Sequence, residues 1–143
     1  MAGPNSEPIY SRVADIQWAE SIVTAHNVID LTSGTSYLVF TADATNGGYV
    51  RELRAKANPA NNSAATVMRV WINNGSTTGT AANSAIIGEL GIPATTTTAT
   101  AALPDFVYPM NFALPAGYKI YTTWGTAPGG SAEFTVTAIA GKY

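Results

Sequence analysis

Cysteine is absent from the 143 residues, histidine occurs once, at His26, and Asp, Glu, Lys and Arg together make up 11% of the chain. Without cysteine there is no disulfide framework and no thiolate site, so the fold has to be held by its apolar core. A lone imidazole beside Asn27 has no second soft ligand with which to close a metal shell, and it reads as a surface or hydrogen-bonded residue. Seven Lys and Arg against nine Asp and Glu, scattered for a net charge of −2, form no basic field for phosphates. Nucleic acid is therefore not expected as a partner. No run approaches the roughly 20 apolar residues that cross a bilayer, and the opening Met1-Ala2-Gly3-Pro4-Asn5-Ser6-Glu7-Pro8 lacks the basic start and apolar stretch of a secretion signal. The expectation is a chain with no membrane partner and no export signal.

What the chain has in quantity is short β-type segments cut apart by Gly, Pro, Asn and Thr. Segment 35–41 is dense in β-branched and aromatic residues and runs into Asp43-Ala44-Thr45-Asn46-Gly47-Gly48, which is turn chemistry. In 49–57 the apolar residues Val50, Leu53, Ala55 and Ala57 oppose Arg51, Glu52, Arg54 and Lys56. The apolar phase changes between Val50 and Leu53, which predicts a bulge near Arg51-Glu52. Segment 66–73 puts Met68, Val70 and Ile72 on the better core face and leaves Trp71 to face a partner. Segment 17–29 fits both helical and strand spacing, with strand favoured. Residues 73–80 have no apolar anchor and read as an exposed loop. A strand over 85–92 ends at Pro93 and passes into a Thr-rich connection at 94–100, while Pro109 confines 106–114 to a sheet edge. Segments 118–124 and 132–139 flank Gly125-Thr126-Ala127-Pro128-Gly129-Gly130 and read as a terminal hairpin. The sum is an all-β chain of about eight or nine strands, an antiparallel two-sheet β-sandwich of jelly-roll-like type. One domain over 13–143 follows an extended, proline-bearing amino-terminal arm over 1–12.

Catalytic patterns are weak. Ser21, His26 and Asp30 supply the residue types of a hydrolytic triad, but no Gly-x-Ser-x-Gly elbow accompanies them. Asp15, Glu20, Glu52, Glu89, Asp105 and Glu133 are the candidates for a glycosidase acid and base. Glu52, set among Arg51, Arg54 and Lys56, reads better as part of a solvated face with cross-strand ion pairs. The run from Asp43 to Gly47 offers oxygens to Ca²⁺ without the alternating acids of a dedicated loop, and reads as a turn. Gly47-Gly48 and Gly129-Gly130 lack the following Lys-Ser/Thr of a phosphate cradle. Trp18, Trp71, Trp124, Tyr108, Tyr118 and Tyr121 serve core or interface more readily than ligand stacking; a sugar-binding protein would use exposed Trp71 or Trp124. The residues point to adhesion, with no enzyme activity, cofactor or metal expected.

The stretches Val39-Phe40-Thr41-Ala42-Asp43-Ala44-Thr45-Asn46-Gly47-Gly48-Tyr49-Val50, Val70-Trp71-Ile72-Asn73-Asn74-Gly75, Leu90-Gly91-Ile92-Pro93-Ala94-Thr95-Thr96 and Tyr108-Pro109-Met110-Asn111-Phe112-Ala113-Leu114-Pro115-Ala116-Gly117-Tyr118 resemble small virion structural proteins of tailed bacteriophages. The closing Val136-Thr137-Ala138-Ile139-Ala140-Gly141-Lys142-Tyr143 is similar too. The resemblance implies a capsid decoration (cement) protein, assembled in the bacterial host cytoplasm, that binds the outer surface of the major capsid protein lattice and stabilises the head. The alternative it leaves open is a head-fibre or tail-associated carbohydrate-binding module. It carries no catalytic or binding motif with it. Symmetric capsid positions favour cyclic oligomers, hence a homotrimer. The candidate capsid or subunit contacts are Ile9, Tyr10, Arg12 and Trp18, together with Trp71.

Overall fold

The computed structural model describes residues 12–22, 25, 31–129 and 133–143. Among the described residues there are nine strands: β1 (Val13–Ala14), β2 (Gln17–Ile22), β3 (Tyr37–Thr41), β4 (Gly48–Ala57), β5 (Thr66–Asn73), β6 (Ser84–Ile92), β7 (Phe106–Leu114), β8 (Lys119–Trp124) and β9 (Phe134–Lys142), with one 3₁₀ turn at Ala81–Asn83. They form two antiparallel sheets. In the five-stranded sheet β1 and β2 lie one after the other along β9, which pairs with β4, which pairs with β7; the four-stranded sheet runs β3-β8-β5-β6. From β2 onward only the step from β5 to β6 stays within one sheet, and every other connection crosses. The result is a β-sandwich of jelly-roll-like winding.

Alternation along the strands decides which face is inside. Val50, Leu53, Ala55, Phe134, Val136 and Ala138 of the five-stranded sheet meet Phe40, Met68, Val70, Ile120 and Trp124 of the other in one buried core. Small side chains on the central strands β4 and β9 leave room for the large rings. Trp124 and Phe134 pack with ring centroids 4.8 Å apart, tilted at 40°. The expected bulge is present: against β9, Val50 pairs with Ala140 and Glu52 with Ile139, so Arg51 is the extra residue. That single insertion lets Val50 and Leu53, three apart, both point inward.

Among the described residues, a side chain bridges the two sheets by hydrogen bonds at each open side of the sandwich. At the β2–β3 side, Gln17 Nε2 donates to Thr41 O at 2.9 Å, and Thr41 N donates to Gln17 Oε1 at 2.9 Å. At the β6–β7 side, Tyr108 Oη donates to Ile87 O at 3.0 Å. Pro109 lies on β7, which is an edge strand as its missing N–H requires.

The terminal hairpin is not formed. β8 belongs to the four-stranded sheet and β9 to the five-stranded one, and the connection between them crosses the sandwich. Its described ends are tied to the segment after β4, where Asn58 N donates to Glu133 O at 2.8 Å and Ala64 N donates to Pro128 O. The Thr-rich connection is also anchored there: Ser63 and Thr95 exchange backbone hydrogen bonds of 2.9 and 3.0 Å, and Thr97 N donates to Asn62 Oδ1 at 2.8 Å.

Candidate functional site

The outer face of the five-stranded sheet is set by the strand register. Trp18 pairs with Thr137, Thr137 with Arg54 and Arg54 with Val107, so these four side chains form one row across the sheet, opposite the buried Leu53 and Ala138. Trp18 is 58% exposed, and Ile16, two residues before it and 52% exposed, shares its face, while Val13, 53% exposed, pairs with Lys142 and lies on the opposite face of the same edge. Exposed large apolar side chains that adjoin one another mark contact surfaces more often than isolated ones do.

From Thr137 and Arg54 of that row toward Thr135 and Lys56 the face becomes polar and concave. A groove of about 600 Å³ is lined by Arg54, Lys56, Asn58, Asp105, Thr135 and Thr137. It shares Lys56, Ala57 and Pro59 with a hollow of about 240 Å³ walled by Ala101, Ala102 and Leu103. Lys56 Nζ stands between the two, donating to Asp105 Oδ1 at 2.6 Å and to Leu103 O at 3.2 Å.

The acids of this face pair with bases, not with one another. Glu52 Oε1 accepts from Arg54 Nε at 2.6 Å and from Arg51 Nη2 at 3.1 Å, and these bonds hold its carboxyl below the usual carboxylate range. The Lys56 ammonium does the same to Asp105, and Glu52 in turn raises the Arg54 guanidinium further. Elsewhere, backbone N–H groups of Asn46 and Thr45, at 2.8 and 2.9 Å from Asp43 Oδ1, lower that carboxyl. All three acids shift away from the direction a general acid needs. Asp43 Oδ1 is engaged by its own turn, as an Asx turn requires. Glu89 accepts from Arg69 Nε at 2.7 Å on the other sheet. Among the described residues no group of three or more His, Cys, Asp and Glu could hold a metal ion.

No family model and no curated protein matches the chain. Among solved structures, a chain of the cyanophage Pam1 capsid asymmetric unit is similar, with 12% identity over 97% of this chain and 99% of that one and a TM-score of 0.37.

Of the contact residues read from the sequence, Trp18 is exposed on β2. Arg12 is also exposed, and its backbone N donates to Lys142 O at 2.9 Å, continuing the β1–β9 ladder. Ile9 and Tyr10 lie outside the described residues, as do His26 and Asp30 of the triad considered above.

Trp71 is not a contact residue in this structure. It does point away from the core between the sheets, in a cross-strand row with Leu38, Tyr121 and Ile86, but it is only 1% exposed. Its indole Nε1 donates to Thr123 Oγ1 at 2.9 Å. Trp124 is fully buried in the core, so neither tryptophan presents a stacking surface.

The sequence reading missed Ile16, Val107 and the groove. Thr135, Thr137, Arg54 and Lys56 share one period-2 phase, but only the β4–β9 register shows that they face one another.

Proposed function

We propose that the chain is a structural protein of a tailed-bacteriophage virion, a capsid decoration protein without enzyme activity. In this reading it seats its β1–β2 side on the outer surface of the major capsid protein lattice and stabilises the head. The observation that carries it is the exposed apolar edge that follows the 1–12 arm, with Ile16 and Trp18 on the outer face of the sheet and Val13 exposed on the opposite face. The phage-like phrases along the sequence support it independently of that edge. A stable interface buries about 800 Å² on each partner, more than three side chains supply. An arm of 12 residues, which spans up to about 40 Å when extended, makes up the difference by reaching a neighbouring subunit. Buried tryptophan is the side chain most often found at the energetic centre of such contacts. Copies placed around a capsid symmetry axis associate as a homotrimer, with no nucleic acid or membrane partner.

The test is binding to capsids assembled from the major capsid protein encoded alongside this chain. Loss of a central tryptophan contact weakens binding by about 2 kcal/mol, or roughly 30-fold, so Trp18→Ala should decorate capsids about that much less tightly while melting like the parent chain. Removal of residues 1–12 should weaken attachment while the domain remains folded. Decoration at parental affinity by both variants would refute the assignment.

A further inference from the structure

We infer that the groove between β4, β9 and the segment around Asp105 binds a neutral saccharide, a function separate from the capsid seat. The β1 end of the capsid seat, paired with Gly141 and Lys142, is about 20 Å along β9 from Thr135, whereas Trp18 pairs with Thr137 at the groove's edge, so it is the β1 end and the arm that stay clear of a ligand in the groove.

Three features select the ligand class. First, the lining has hydrogen-bonding capacity that the described residues leave unengaged. The Nη groups of Arg54, the amide nitrogen of Asn58, the second carboxylate oxygen of Asp105 and the hydroxyls of Thr135 and Thr137 form no hydrogen bond among them. One concavity thus offers both donors and acceptors, which is what a ring of hydroxyls requires of its site.

Second, each cation of the lining already has a carboxylate partner, Arg54 in Glu52, which Arg51 shares, and Lys56 in Asp105, so neither stands as an unpaired charge for a phosphate or sulfate. Third, the adjoining hollow presents Pro59 and Leu103, an apolar wall for the C–H face of a sugar ring beside a polar wall for its hydroxyls. An added peptide strand is the wrong occupant. β4 and β9 are hydrogen-bonded on both sides, so the groove floor offers no free backbone ladder.

The experiment titrates the full chain with maltotriose, cellotriose and N,N′-diacetylchitobiose, with inorganic phosphate and a sulfated heparin disaccharide as charged probes, while backbone amide shifts are followed. The expected result is saturable binding of at least one neutral probe, with shifts confined to residues 54–59, 97–105 and 135–137. Loss of one hydrogen bond to the ligand corresponds to about tenfold in affinity, so Asp105→Ala and Thr137→Val should each weaken binding by about that factor. Both side chains lie on the surface, and unchanged melting temperatures would show that the fold is kept. Removal of residues 1–12, which weakens capsid attachment in the proposed function, should leave saccharide binding intact, so the two readings can fail separately. No neutral probe binding at about 10 mM, binding of the charged probes alone, or shifts that map elsewhere would overturn the inference.

Discussion

Adding a single methyl group at Gly88 tests how the two sheets are held together at the β6–β7 side. An ideal Cβ there would overlap Tyr108 Oη and come within 2.7 Å of its Cζ and 2.9 Å of Cε2. The ring cannot retreat without giving up its bond to Ile87 O. Overpacking of this kind costs about 1–3 kcal/mol, so Gly88→Ala should lower stability by that amount in urea denaturation. In a Tyr108→Ala background the same substitution should cost little; an undiminished penalty there would show that the ring is not the obstacle. The carboxyls give a second prediction at this scale. Asp43, Glu52 and Asp105 are each held below the usual range by donors that the unfolded chain lacks. Their stabilisation is therefore complete above the unfolded carboxyl pKa values of about 4 and is lost as pH falls through the lower folded values. The melting temperature should be flat from about pH 5 to 7 as far as these groups are concerned and fall below about pH 4. Asp43→Asn, which can still accept the two turn N–H groups, should flatten part of that acid limb. An unchanged limb in that variant would remove Asp43 from the account.

Strand identity was largely written in local pattern, and strand partnership was not. The phase slip between Val50 and Leu53 foretold the bulge at Arg51, and Pro109 foretold the edge position of β7, because each is a constraint that one strand carries within itself. Met68 and Val70 fell on the core face for the same reason. The hairpin between β8 and β9 was misread because a Gly- and Pro-rich link between two β segments looks alike whether it joins neighbours or crosses the core. Trp71 was misread because alternation tells which face a side chain is on and not what covers that face. A loop-shortening experiment separates the two readings of the β8–β9 link. Replacing residues 126–131 by Asn-Gly would favour a tight turn, and a true hairpin would gain from it. Because the two strands lie in opposite sheets, the shortened chain should lose its cooperative thermal transition or melt far lower. A higher melting temperature would mean that the strands pair after all.

The winding of the whole molecule makes the last strand the one on which the five-stranded sheet depends. β9 lies between β1 and β2 on one side and β4 on the other, and it brings Phe134, Val136 and Ala138 to the core. Until it is in place, β1 and β2 have no partner, and β4 pairs on one side only. The jelly-roll-like order joins the beginning of the sequence to its end, and such long-range pairing carries a loop-closure cost that slows folding to about the millisecond-to-second range. No local pattern records that closure, which is why the number of strands was legible while their order was not. The same argument distinguishes the two ends of the chain. Truncation after residue 133 should abolish the cooperative thermal transition followed by circular dichroism and leave an aggregation-prone product, since exposed strand edges and an open apolar face remain. Removal of residues 1–12 takes away none of the nine described strands and no member of the described core, so the 13–143 chain should melt within a few degrees of the parent, a shift of under about 1 kcal/mol. A cooperative melt in the chain ending at 133 would show that β4 and β7 suffice to close the core, and the central role assigned to β9 would then be wrong.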